Sequence, residues 1–289
     1  MAKKIDTQAV GLDVGLAFIR WLTGAENLHY GLWTGLEVTA GNLRAAQEAY
    51  TARLFGYLPK GSLRILDIGG GAGETAKKLL ALGHQVEIVV PSPFLAARCR
   101  ETAQGATVHE TTFEAFQGRG PFDLCLFSES FQYIPLTESL PKCARLLAEG
   151  GQVLIADCFR TDAYRGRGAH GPQPGGGHRV AAFQAAAAGA GFVVLAEEDI
   201  TDAVAPSIDL EQRFFNVLGH GITRISGEIR GKRPGAHWAL ARIIGLFLSR
   251  TRREHLMQRL TGTSRSAEAF RIYNRYRIVG LGRRSGQGG

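Results

Sequence analysis

Long apolar runs are missing from this chain of 289 residues. Nothing in it approaches the roughly 20 consecutive residues that a membrane-spanning helix needs. The start, Met1-Ala2-Lys3-Lys4-Ile5-Asp6, leads into no apolar segment with a small-residue cleavage site, so a soluble, cytoplasmic protein is expected. Cysteine is scarce. Cys99, Cys125, Cys143 and Cys158 include no C-x-x-C pair, and they signal neither a zinc site nor a disulfide framework. Cys125 and Cys158 lie in apolar runs and read as small buried side chains. Histidines and carboxylates never recur at metal-ligand spacing, so no metal is expected. What remains is a chain long enough for one large domain, or for a core with an inserted cap.

Charge is unevenly placed. The net charge is +8, yet residues 1–198 hold 18 Lys/Arg against 19 Asp/Glu, while residues 199–289 hold 16 against 7. The excess therefore sits in the last third. A basic face there suits nucleic acid, an anionic membrane surface or an acidic substrate, and it also suits a plain solvated helix.

The most informative stretch is Leu63-Arg64-Ile65-Leu66-Asp67-Ile68-Gly69-Gly70-Gly71-Ala72-Gly73-Glu74. A short apolar strand runs into a glycine turn and then a helix, the opening of a βαβ nucleotide-binding unit. Glycines let a ligand approach the main chain, and the helix that follows points free N–H groups into the crevice. Asp67 beside the turn repels phosphate and suits a ligand with a free ammonium group, which favours S-adenosylmethionine over NAD or ATP.

Around this turn the elements alternate. Apolar-dense residues 8–22 predict an N-terminal helix, and Leu43, Ala46, Tyr50, Leu54 and Tyr57 mark one face of a helix over 39–57. Strands are expected at 86–90, 106–110, 122–127, 152–156, 192–196 and 272–282, with helices at 74–82, 94–103, 137–148 and 178–188 between them. That is a doubly wound α/β sheet. Residues 166–177 are glycine-rich and predict a loop at the carboxyl edge, where ligands bind in such folds. Residues 207–270 read as helices only, among them an apolar and basic one from His237 to Arg250. The expected organisation is an N-terminal helical segment over 1–60, a cofactor-binding α/β core over 61–198, a helical cap over 199–270, and the last strand and tail over 271–289.

Residues 62–197 resemble a class I S-adenosylmethionine-dependent methyltransferase. The resemblance rests on Leu66-Asp67-Ile68-Gly69-Gly70-Gly71-Ala72-Gly73, on Phe122-Asp123-Leu124 with Ser128-Glu129-Ser130, and on Arg145-Leu146-Leu147 through Glu149-Gly150-Gly151-Gln152-Val153-Leu154. His29-Tyr30-Gly31-Leu32-Trp33, and Gly191-Phe192 with Glu198-Asp199-Ile200-Thr201, are similar to stretches of the tocopherol, sterol and glycine/sarcosine methyltransferase group. The resemblance implies a Rossmann-like fold, S-adenosyl-L-methionine as cofactor, and a cap over a small-molecule acceptor. It implies that Gly69 and Gly71 approach the methionine end of the cofactor, that Asp67 holds its ammonium, and that Tyr30 closes over the same end. Glu129 would lie near the sulfonium and the acceptor, with Ser128 lining the site.

One departure stands out. Where the family ends its second strand with a ribose-binding acid, this chain has Val90, in Val89-Val90-Pro91-Ser92, and Glu87 falls on the opposite face. Ser92 could give a weaker hydrogen bond in its place. Candidate bases for the acceptor are Glu129, His178, His170 and His220, with Tyr133 facing it. The favoured acceptor is a small hydrophobic metabolite, lipid-like or polyketide-like, with the cap arginines holding an acidic group or touching an anionic membrane. A basic cap on RNA or DNA is the alternative, and it is disfavoured because no Asn/Asp-Pro-Pro-aromatic motif is present. A catalytically inactive cofactor-binding scaffold is the third reading.

Overall fold

In the computed structural model the described residues are 7–166, 176–247, 249–262 and 265–283. An eight-stranded sheet forms the centre. Its strands are β1 (Arg64–Ile68), β2 (Gln85–Val89), β3 (Thr107–His109), β4 (Phe122–Ser128), β5 (Leu147–Arg160), β6 (His178–Arg179), β7 (Phe192–Asp199) and β8 (Asn274–Arg283). Seven follow the order β3-β2-β1-β4-β5-β8-β7, with β6 added against β5. The first five are parallel, and β8 runs antiparallel between β5 and β7. The expected doubly wound, Rossmann-like sheet is what forms.

The helices are α1 (Thr7–Thr23), α2 (Leu43–Phe55), α3 (Glu74–Ala81), α4 (Pro93–Thr102), α5 (Leu136–Leu146), α6 (Val180–Gly189), α7 (Thr201–Val204), α8 (Pro206–Lys232), α9 (Pro234–Phe247), α10 (Arg250–Thr261) and α11 (Ala267–Tyr273). Both sheet faces are covered, as the unbroken apolar strands require. Ile65, Ile88, Leu124 and Leu154 pack with Tyr50, Leu54, Leu79 and Ala96 on one face. Leu66, Val89, Phe127 and Ile155 pack with Leu140, Cys143 and Phe183 on the other.

Several boundaries differ from expectation. The helix expected over 137–148 ends at Leu146, because Leu147 already pairs with Phe122 on β4. The Gly-Gly turn is absorbed into β5 as a bulge, with Gly150 at φ +73°. His178 and Arg179 pair with Phe159 and Arg160 instead of opening a helix. Residues 267–273, partly expected as strand, form α11.

Every secondary-structure element among the described residues between β7 and β8 is a helix. Where α8 crosses α10, Gly219 lets the two backbones touch, since a Cβ there would meet the Leu260 carbonyl oxygen at 2.2 Å. Phe18 of α1 stacks on Phe214 of α8 with ring centroids 4.2 Å apart. No helix among the described residues is long and apolar enough to cross a membrane.

Candidate active site

The sheet order reverses between β1 and β4. The connections leaving these two strands part to opposite sides, and a crevice opens at their carboxyl ends. It holds a cavity of about 270 Å³, walled by the glycine turn, by Val90 and Pro91 after β2, and by Ser128, Glu129 and Ser130 after β4.

The turn is built for close approach. Gly69 sits at φ +80°, and a Cβ on it would lie 2.3 Å from that of Ser130. No other residue type fits both the conformation and the space. The Ser130 hydroxyl in turn donates to the Ile68 carbonyl, tying the two strand ends together. At Gly70 a Cβ would come within 2.8 Å of Asp67 Oδ2. The missing side chain thus lets the turn pack directly over that carboxylate.

Asp67 is 1% exposed, and its Oδ2 has no hydrogen-bond partner in the protein. Burial pushes its carboxyl up to about 7. Glu26, Glu74 and Glu129 also line the cavity, while none of the described lining residues is Lys or Arg. His29 lines it as well, but burial lowers its imidazole to about 4, so it is neutral. With four carboxyl groups and no lysine or arginine in its described lining, the cavity offers phosphate no side-chain cation, and a cation bound beside Asp67 would stabilise its ionised form.

Glu129 is the most constrained of the four. It is the one non-glycine residue among those described with positive φ, at +59°. Strain of this kind is retained where the surrounding structure over-determines it. Its Oε1 accepts the backbone N–H of Tyr30 at 2.8 Å and the hydroxyl of Tyr276 at 2.9 Å. Burial outweighs these donors and pushes the carboxyl up to about 8. Behind it, Tyr276 Oη lies 2.8 Å from Tyr50 Oη, and Tyr50 Oη lies 3.2 Å from Ser128 Oγ. Two tyrosine hydroxyls, from α2 and β8, therefore bridge the adjacent residues Ser128 and Glu129 beneath the cavity.

The aromatic stretch His29–Trp33 positions this arrangement from the other side. His29 Nδ1–H donates to the Tyr30 carbonyl at 2.8 Å, and its ring stacks on Tyr50. Trp33 Nε1–H donates to Ser207 Oγ at 2.8 Å, and Gly31 N–H reaches the same oxygen, fastening the stretch to the first turn of α8.

The residues singled out in the sequence separate accordingly. Asp67, Gly69, Gly71, Ser128, Glu129 and Tyr133 line the cavity, Tyr133 at its rim with 77% exposure. Tyr30 meets the site through its backbone N–H, and its ring lies against Tyr276 with centroids 6.4 Å apart. Ser92 does not line the cavity; its Oγ accepts Leu95 N–H and caps α4. His178 does not either, because its Nε2–H is taken by the carbonyls of Phe131 and Ile134, which fix the turn over 131–133. His220 is exposed on α8, and His170 lies outside the described residues.

Tyr50, Tyr276 and Asp157 were not singled out as site residues. Asp157 accepts the backbone and side-chain N–H of Gln132 and holds the same turn. The available signal was a hydroxyl on an otherwise apolar helix face, at Tyr50.

Comparisons with known proteins speak to the family and the fold. A family model described as a methyltransferase domain matches residues 40–197. A ubiquinone biosynthesis O-methyltransferase of Caulobacter sp. (strain K31) is 34% identical over 113 residues, 37% of this chain and 45% of that protein. The chain spans about half the length of the curated relatives it matches. Among solved structures, a cyclopropane synthase from Mycobacterium tuberculosis superposes with TM-score 0.66 at 17% identity, covering 98% of this chain and 100% of the other. Geranyl diphosphate C-methyltransferase from Streptomyces coelicolor A3(2) gives TM-score 0.62 at 14% identity, covering 93% and 92%. Likeness at such identities speaks to the fold alone. With the family model spanning more than half of its length, the chain belongs to the methyltransferase-domain family.

Proposed function

We propose that the protein transfers a methyl group from S-adenosyl-L-methionine to a small, hydrophobic acceptor. The observation that carries this reading is the buried, unpartnered Oδ2 of Asp67 in a cavity with four carboxylates and no lysine or arginine. An ammonium group gives that oxygen a partner and favours its ionised form, and the phosphates of NAD or ATP do not. The glycine turn lets its amino-acid end reach the main chain. The residues present fit the cofactor.

The cofactor supplies an already activated methyl group, so alignment and exclusion of water are the main tasks left to the protein. Asp67 holds the ammonium, with Gly69 and Gly71 giving the approach. Ser128 and Glu129 face the reacting end of the crevice. With Glu129 Oε1 fixed by Tyr30 N–H and Tyr276 Oη, its Oε2 is the oxygen left to accept a proton from an acceptor that must lose one, and Tyr133 stands at the entrance. The resemblance to enzymes named for a geranyl diphosphate and a cyclopropane product supports a lipid-like or terpenoid-like acceptor. Exposed apolar residues on the cap, interleaved with its arginines, support a peripheral contact with an anionic membrane surface.

Incubation with methyl-labelled S-adenosylmethionine and a panel of isoprenoid, fatty-acyl and polyketide acceptors tests the reading. Release of S-adenosylhomocysteine with one acceptor class supports it. Tight cofactor binding without turnover on any class, or in a cell extract, supports the scaffold reading instead.

A further inference from the structure

The β2 side of the cavity offers no side-chain acceptor of its own. Val90, Pro91 and Leu95 line it. Glu87 points to the other face, with Oε1 on Arg64 at 2.7 Å and Oε2 on His109 at 2.7 Å. Ser92 is occupied as the cap of α4. A carboxylate nevertheless reaches this wall from elsewhere in the chain. Glu26, in the segment after α1, lines the same cavity and is 5% exposed.

Its position is fixed from several elements. Arg98 of α4 grips it with Nε on Oε2 at 3.1 Å and Nη2 on Oε1, and Arg20 of α1 adds Nη1 on Oε1 at 3.1 Å. The Glu26 backbone N–H donates to Glu74 Oε1 on the first turn of α3. A carboxylate offers about four acceptor positions. Two donors occupy Oε1 and one occupies Oε2, which leaves room on Oε2. Two guanidinium groups, from α1 and α4, hold the carboxylate against α4, the helix that follows β2.

We propose that Glu26 supplies the carboxylate that accepts the ribose 2′-hydroxyl of the bound cofactor, a contact delivered from the N-terminal segment instead of from β2. The proposal rests on the S-adenosylmethionine reading above. With Asp67 assigned to the ammonium and Glu129 held at the β4 side, the β2 side of the crevice falls to the ribose, as it does in dinucleotide-binding sheets of this kind. One ribose hydroxyl is matched to the acceptor position left on Oε2.

The test compares S-adenosylhomocysteine with its 2′-deoxyribose analogue by calorimetry, on the full chain and on the variants Glu26→Gln and Glu26→Asp. The full chain is expected to bind the ribose form about tenfold more tightly or better, as loss of one hydrogen bond to a charged group implies. In Glu26→Gln the ratio should fall to within about twofold, with affinity for the deoxy form little changed. That unchanged affinity reports an intact cavity. Glu26→Asp keeps the charge that Arg20 and Arg98 require but withdraws the carboxylate by one methylene, and it should lose most of the ratio as well. An undiminished ratio in either folded variant overturns the proposal and leaves Glu26 as an ion-pair anchor. If the full chain binds neither ligand, the cofactor reading itself fails.

Discussion

The Tyr276 hydroxyl lies 2.9 Å from Oε1 of Glu129, across 147 residues of sequence. One comes from the last strand and the other from the end of the fourth, so closing the sheet with an antiparallel β8 also completes the site. Tyr50 supports the pair from α2. A donor that faces the carboxylate can point one way along this chain, from Ser128 through Tyr50 and Tyr276 to Glu129. That order favours the ionised glutamate, and burial opposes it.

The balance can be measured without an acceptor. Carbon-13 NMR of glutamate-labelled protein should show one carboxyl, removed in Glu129→Gln, titrating near 8. Tyr276→Phe deletes a donor to the charged form, so the same signal should move higher, by about one pH unit. A downward shift, or none, would mean that Tyr276 does not hold the carboxylate.

Stability should follow the same groups. Asp67 and Glu129 ionise at higher pH in the folded protein than in the unfolded chain, which starts near 3.8 and 4.5. Between those values and about 7 and 8 the folded form binds more protons, so stability falls as pH rises through this window. Thermal melts of the ligand-free protein should therefore drop from pH 5 to pH 8. In Asp67→Asn the drop should shrink, and the variant should be more stable at pH 8 by about 1–3 kcal/mol.

The fastening of the aromatic stretch to the cap makes a different claim. Trp33→Phe removes the donor to Ser207 and leaves a buried hydroxyl one partner short. The expected cost is about 1 kcal/mol, read from the denaturant midpoint. Hydrogen exchange should also accelerate in the first turns of α8 more than in β1 or β4, since the cap loses its tie to the N-terminal segment.

A membrane contact predicts salt-sensitive adsorption. Val217, Ile222 and Ile225 of α8 and Trp238 of α9 are exposed, and Arg242 lies over the Trp238 ring at 5.0 Å. Vesicles rich in phosphatidylserine should co-sediment the protein at low salt, and neutral vesicles should not. Binding should weaken markedly between about 0.05 and 0.5 M salt as the Debye length shrinks. Equal recovery on both vesicle types would remove the cap from any membrane role.

The sheet was legible because its strands carry little besides their apolar pattern. Phe122–Phe127 and Gln152–Ala156 are almost wholly buried, and short unbroken apolar runs of this kind read as central parallel strands. Boundaries set by pairing were less visible. Leu146 ends α5 only because Leu147 finds Phe122, a partner 25 residues away that no local propensity reports. At the site, Asp67 and the glycine turn are contiguous in sequence and could be read together. Glu129 and Glu26 at the cavity, and Tyr50 and Tyr276 beneath it, come from separate elements, and only the fold brings them together. His178 looked like a base because it follows a glycine-rich loop; its nitrogen is spent on two carbonyls that the sequence does not place beside it.

Calorimetric titration of S-adenosylhomocysteine into the protein and its Asp67→Asn variant bears most directly on the central claim. The account predicts micromolar or tighter binding to the unaltered chain and a loss of about tenfold or more in the variant, whose fold is at least as stable at pH 8. Equal affinity in both proteins, or preference of the unaltered chain for ATP or NAD, would contradict it.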